Sequence, residues 1–348
     1  MVKSLKISQL GIRQRSEARE ESLSAFAVKS RLSKGRAVAE EPCPIRTAFQ
    51  QDRDRIIHTK AFRRLKHKTQ VFIAPLGDHF ATRLTHTLEV SQIARTIARA
   101  LNLNEDLVEA STLGHDLGHT PFGHAGEEVL NELYPGGFHH NLQSLRIVDV
   151  LEKDGKGLNL TWEVRDGIVH HSKTGLDTLQ VDWGKVGTLE GEVCRIADIV
   201  AYINHDIDDA VRAGVLREND LPKDAVELLG NSNSCRINTM VSDIIESSWE
   251  KASISMSPDV LVATDKLRKF LFKNVYHLAL KEAETGRQVV SRLFEYYRGH
   301  SDQLPPEFLG HTVTVEQGVV DYIAGMTDQF ALRLAENLKL VVRTPPAF

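Results

Sequence analysis

The stretch HDLGHTPFGH, residues 115–124, packs three histidines and one aspartate into ten residues, with Gly118, Pro121 and Gly123 between them. Such a composition makes a poor core segment, because polar side chains lose hydration on burial and need partners to recover it. An adjacent His-Asp pair offers an imidazole nitrogen and a carboxylate oxygen on successive residues, donors that suit a mixed nitrogen and oxygen metal site better than a thiolate one. An isolated pair of this kind more commonly ends a helix or forms an ion pair, since buried polar groups are usually just hydrogen-bonded. The residues around it decide between the two.

Three helices are read outward from this stretch. In THTLEVSQIARTIARALNL, residues 85–103, Leu88, Ile93, Ile97 and Leu101 fall near helical spacing and describe an amphipathic helix with His86 at its beginning. In NLNEDLVEASTLGHDLGH, residues 102–119, Asn104 is an N-cap, and Glu105 and Asp106 suit the positive end of the helix dipole. Gly118 is expected to stop this helix, which puts His115 and Asp116 in its last turn. In EVCRIADIVAYINHDIDDAVRAG, residues 192–214, Val193, Ile196, Ala197, Val200, Ile203 and Ile207 form one stripe, while Asp198, Tyr202, His205, Asp206 and Asp209 share a neighbouring face. His86, His115, Asp116 and Asp198 together make a four-ligand set that leaves octahedral positions open on a divalent ion such as Mn²⁺, Mg²⁺ or Fe²⁺.

The remainder of the chain is consistent with an all-α protein. Its 348 residues carry 41% hydrophobic and 26% charged side chains, ordinary globular composition. Residues 1–45, charged, serine-rich and ending in EEPCP, read as a loosely structured arm; residues 46–215 read as the metal-bearing core and 216–348 as a helical region completing the substrate site. Alternating strand-like runs are short and rare, HTVTVEQ at 311–317 being one. Lys and Arg number 43 against 47 Asp and Glu, so the footprint of a dedicated nucleic-acid binder is absent and single-stranded DNA is not an indicated partner. Three scattered cysteines, no apolar run of membrane length and no secretory signal point to a reducing cytoplasm.

Taken together, R-x-x-H at 83–86, H-D-L-G-H-x-P-F-G-H at 115–124 and I-A-D-x-x-A-Y-x-x-H-D-x-x-D-A at 196–210 resemble the HD-domain deoxynucleoside triphosphate triphosphohydrolases, the branch typified by bacterial dGTPase. DRDRIIHTKAFRRLKHKTQVF at 52–72, GFHHNLQSLRI at 137–147, FLFKNVYHL at 270–278 and the arm element LSAFAVKS followed by GR are similar too. The likeness runs along almost the entire chain. It implies cleavage of a dNTP between the α-phosphorus and the 5′ oxygen, giving a deoxynucleoside and intact triphosphate, with a homo-oligomer as the working form. A second dNTP acting as activator stays open.

The resemblance also implies roles for particular residues. His140 is the favoured general acid, with His119 and His124 lining the phosphate site; Asn141 and Gln143 stand where some relatives carry an acidic neighbour, which leaves the partner of His140 open. Arg83 and Arg268 match phosphate-contact positions, and Gln70, Tyr202, Asp206 and Tyr276 match sugar-contact positions. Tyr276 against the 2′ carbon would leave no room for a ribose hydroxyl. Two other readings remain: an HD hydrolase acting on another nucleotide, such as a cyclic or guanosine polyphosphate, and a non-catalytic nucleotide-sensing module. Similarity outside the metal ligands weighs against the first, and a complete ligand set weighs against the second.

Overall fold

The computed structural model describes residues 11–72, 80–172, 186–276, 284–312 and 314–341. Among these the secondary structure is helical, with no strand and two isolated bridges, Arg36 to Thr161 and Thr69 to Thr82. The helices that matter for the site are α1 (Ala48–Ile57), α2 (Arg83–Ala100), α3 (Glu105–Gly114), α4 (Gly123–Leu133), α5 (His140–Arg146), α6 (Trp162–His170) and α7 (Leu189–Arg212), followed by α8 (Asn233–Ser248), α9 (Pro258–Leu271), α10 (Glu284–Gly299), α11 (Val315–Ala324) and α12 (Asp328–Asn337). The run HTVTVEQ is no strand where it is described: Thr314 caps α11 by accepting from the Gln317 amide, so the β-branched residues lead into a helix.

Three apolar clusters hold these helices together. Val90, Ile93, Ala94 and Ile97 of α2 meet Val193, Ile196, Val200 and Ile203 of α7, with Met240 of α8 and Leu267 of α9 behind them. Phe49 and Ile56 of α1 pack with Leu107 and Leu113 of α3 and Val164 and Ile168 of α6. Val129 and Leu130 of α4 pack with Leu293 and Phe294 of α10, Ile323 of α11 and Ala331 of α12. Each large aliphatic side chain so buried contributes about 1.5–3 kcal/mol.

The buried stripe of α2 differs from the expected one at its start. Leu88 is 52% exposed, and the face turned inward runs through His86, Val90, Ile93 and Ile97, steps of four, three and four residues that keep one side of a 3.6-residue turn. The His-Asp stretch departs further from expectation. Every residue from Leu113 to Gly123 is buried, although its composition reads as a poor core segment. Leu117 belongs to the second cluster and Phe122 to the third, so this polar strip is the seam between packed layers.

That seam is closed by contacts from distant parts of the chain. The Lys68 ammonium donates to the carbonyls of His119 and Ala324, and burial pushes its pKa down to about 7. Asp328 accepts from the amides of Thr69 and Phe122, each at 3.0 Å, the latter supporting a non-glycine residue at φ 62°. The first ten residues of the expected arm lie outside the described ones. Further along the arm, Val28 donates to Glu190 at 2.9 Å, Lys34 donates to Glu163 at 2.7 Å, and Arg36 pairs with Asp52.

Candidate active site

Four elements bring the HD-type residues together. A capping box on Thr82 starts α2, which sets His86 one turn after Arg83 on the buried face. Asn104 caps α3 by accepting from Leu107, as the sequence suggests, but α3 ends at Gly114, so His115 is its C-cap and Asp116 follows in the turn. Asp198 projects from the middle of α7. His86 Nε2 lies 3.2 Å from Asp198 Oδ1 and 3.8 Å from Asp116 Oδ2, and His115 Nε2 lies 3.4 Å from Asp116 Oδ1.

These donors suit a divalent ion. His115 Nδ1 donates to the Thr112 carbonyl at 2.6 Å, which leaves the lone pair on Nε2, and that atom is buried with no hydrogen-bond partner. One donor atom each from His86, His115 and Asp116 lies within 4.8 Å of the others. Burial would raise Asp116, but His115, His119 and Arg83 outweigh it and hold the carboxyl well below its ordinary value. Burial works the same way on Asp198 and is outweighed by His86, so that carboxyl is lowered too. His86, His115 and Asp116 therefore converge, and Asp198 stands against His86.

Gly118 does something other than stop a helix. A Cβ there would lie 2.3 Å from both the His140 carbonyl oxygen and the Ser144 amide, so its missing side chain lets α5 approach the His-Asp turn directly. The Gly118 amide donates to Ser144 Oγ at 2.8 Å, and that hydroxyl donates to the His115 carbonyl at 2.6 Å. His140, on the first turn of α5, is thereby buried beside Asp116, not solvated in a loop.

Glu127 of α4 is the partner that Asn141 and Gln143 do not supply. Its carboxylate stands 2.9 Å from His140 Nδ1 and 3.4 Å from His124 Nδ1. His140 Nε2 faces His171 Nε2 at 3.2 Å, while His171 Nδ1 donates to the Ile168 carbonyl at 2.7 Å. A neutral His171 accepts at Nε2, and a His140 that donates both there and to Glu127 would carry hydrogen on both nitrogens. The electrostatics agree: burial opposes the charge, yet Glu127 raises the His140 pKa, while burial pushes His171 down to about 3. His119 stacks on His140 with centroids 3.9 Å apart, and burial with the Arg83 and His140 charges holds it well below its ordinary value. His124 differs from these, with its side chain 66% exposed.

The residues matched to phosphate and sugar contacts fall into two groups. Arg83 is buried, with Nη1 on Asp116 Oδ2 at 2.9 Å, Nε on the Thr69 carbonyl at 3.2 Å and Nη2 on the Gln70 carbonyl at 3.4 Å. A phosphate contact would have to replace one of these bonds. Gln70 is buried and its Oε1 has no partner. In the second group, the Tyr276 hydroxyl donates to Asp206, and burial and the Asp206 charge raise its phenol well above the ordinary value. Arg268 pairs with Asp265 at 3.1 Å and acts on the Tyr202 hydroxyl, whose pKa burial raises.

Sequence reasoning misses Glu127, His171 and the ring position of His205. Glu127 had a local signal, standing three residues after His124 on one helix face. His171 had none.

The HD domain family matches residues 83–203, and the phosphohydrolase-associated domain family matches 254–337. A deoxyguanosinetriphosphate triphosphohydrolase-like protein of Caldanaerobacter subterraneus subsp. tengcongensis is 60% identical over 314 residues, 89% of this chain and 90% of that one. The chain belongs to this family. Other members with the same description, from Desulfatibacillum aliphaticivorans and Clostridium tetani, are 52% identical over 92% of this chain and 96% of theirs, and 49% identical over 96% and 98%. The protein is thus an HD-domain hydrolase. Its HD segment holds His86, His115, Asp116, Asp198 and the Glu127 cluster, while Arg268 and Tyr276 come from the associated segment. Among the described residues, no helix is long and apolar enough to cross a membrane.

Proposed function

We propose that the protein hydrolyses a deoxynucleoside triphosphate, dGTP among the candidates, to the deoxynucleoside and triphosphate. The observation that carries this reading is the unpartnered, buried Nε2 of His115, grouped with His86 and Asp116, with Asp198 against His86 and His140 grouped with Asp116. His86, His115, Asp116 and Asp198 would hold Mn²⁺, Mg²⁺ or Fe²⁺, which would supply Lewis acidity toward the phosphate and lower the pKa of a water.

The remaining chemistry is assigned to the chain itself. As water adds to the α-phosphorus and the bond to the 5′ oxygen breaks, His140 delivers its proton to the leaving alkoxide and Glu127 keeps the ring charged and oriented until then. His119 and His124 line the phosphate side, and Arg83 orients Asp116. Gln70 Oε1 is an open acceptor for a sugar hydroxyl. Tyr202, Asp206 and Arg268 form the rest of the sugar and phosphate wall, and Tyr276 closes over the 2′ carbon, where an added hydroxyl would lose water without gaining a partner, a cost of about 1–3 kcal/mol before any clash.

The test is incubation with each dNTP and each NTP in the presence of Mn²⁺, followed by identification of the phosphate product. Tripolyphosphate from at least one dNTP, with the matching NTP strongly disfavoured, is the expected result; pyrophosphate or orthophosphate would overturn the reaction. His140→Ala is expected to keep bound metal and to lower kcat by about 10² to 10⁴. If it works normally while His124→Ala or His119→Ala is inert with metal bound, the acid is one of those two.

A further inference from the structure

His205 occupies a position that no ligand, acid or sugar assignment uses. Its ring is buried between two elements of the site: Nε2 lies 2.8 Å from His86 Nδ1, and Nδ1 lies 2.8 Å from Asp206 Oδ1. The other Asp206 oxygen, Oδ2, accepts from the Tyr276 hydroxyl. His86 and His205 thus meet directly across α2 and α7, while the approach of His205 to Asp206 is close without the alignment of a hydrogen bond.

The proton between the two rings is dictated by what His86 must do. A histidine that offers its Nε2 lone pair to a cation has to carry hydrogen on Nδ1, and the ring orientation is then set by whatever accepts that hydrogen. For His86 the acceptor is His205 Nε2. A neutral His205 that accepts at Nε2 carries its own hydrogen on Nδ1, the nitrogen that faces Asp206.

We propose that His205 is a positioning residue that fixes the His86 ring for the divalent ion. This rests on the reading of His86 as a metal ligand. Outer partners of ligating histidines are worth about 10- to 100-fold in metal affinity.

The test is calorimetric titration of the full-length, metal-free protein with Mn²⁺, with circular dichroism and melting temperature checked for each variant. His205→Phe keeps a ring but removes the acceptor, and its Kd for Mn²⁺ is expected to rise about 10- to 100-fold. His205→Gln, whose carbonyl can accept from His86, is expected to stay within about fivefold of wild type, a rescue that a merely space-filling role would not give. Folded His205→Phe with wild-type affinity, or Gln and Phe variants equally impaired, would overturn the positioning role. His86→Ala binding Mn²⁺ as tightly as wild type would instead remove the metal reading on which the inference stands.

Discussion

Gly118→Ala tests whether the contact between α5 and the His-Asp turn is what makes the site. The added methyl would sit 2.3 Å from the His140 carbonyl oxygen and the Ser144 amide and 2.6 Å from the Gln143 carbonyl carbon, all backbone atoms that cannot rotate aside. Restoring even a tight 3.4 Å contact moves α5 by about 1.1 Å relative to that turn. Forcing an extra methyl into packed surroundings costs about 1–3 kcal/mol. The bond from Gly118 to Ser144 Oγ stretches as well. His140 rides on α5, whereas the His115 ring is held from its own helix by Thr112. The substitution should therefore separate acid from metal: kcat falls by about 10²-fold for a displacement of this size, while the Kd for Mn²⁺ stays within about fivefold and the melting temperature drops by several degrees. Triphosphate release under saturating substrate, calorimetry with Mn²⁺ and a thermal melt measure the three. A folded Gly118→Ala protein with kcat within about twofold of wild type would refute the argument.

Other perturbations follow from the same geometry. His115→Ala should lose stoichiometric Mn²⁺ and all turnover while staying folded; Asp116→Ala should lose both and melt lower as well, because it leaves the buried Arg83 guanidinium unpaired at a cost of about 3–5 kcal/mol. Retained metal in either variant would exclude that residue as a ligand. Glu127→Gln removes the anion that raises His140, so the ring gives up its proton at lower pH and the alkaline limb of the kcat profile should move down by about 1–2 units, the equivalent of a charged hydrogen bond. An unmoved limb would mean that His140 does not supply the proton. In chemical denaturation, Ile97→Ala should cost about 2–5 kcal/mol, against less than about 0.5 kcal/mol for the exposed Leu88→Ala. Similar losses would contradict the observed face of α2.

The helical character of the chain and the placing of His86 near a helix start, of His115 and Asp116 beside a helix end and of Asp198 on a helix face are legible in the sequence alone, because each is carried by local order. An adjacent pair, a residue one turn after a helix start and a residue on the polar stripe of an amphipathic helix all fall within a window of a few turns, where 3.6-residue geometry dictates direction. The stripe of α2 shows the limit of such reading: Leu88 fits an apolar count, yet the face turned inward is the one containing His86 and Val90. What only the tertiary structure decides is the pairing of groups from separate elements. Glu127 reaches His140 from α4, His171 meets it from the end of α6, and His205 of α7 closes on His86 of α2. The burial of the whole polar strip from Leu113 to Gly123 belongs with these, since it depends on the bare backbone of Gly118 admitting α5 and on Lys68 and Asp328 satisfying carbonyls and amides far away in sequence. Directional hydrogen bonds and close-packed backbones select those neighbours only once the helices have docked, so no window of sequence contains them.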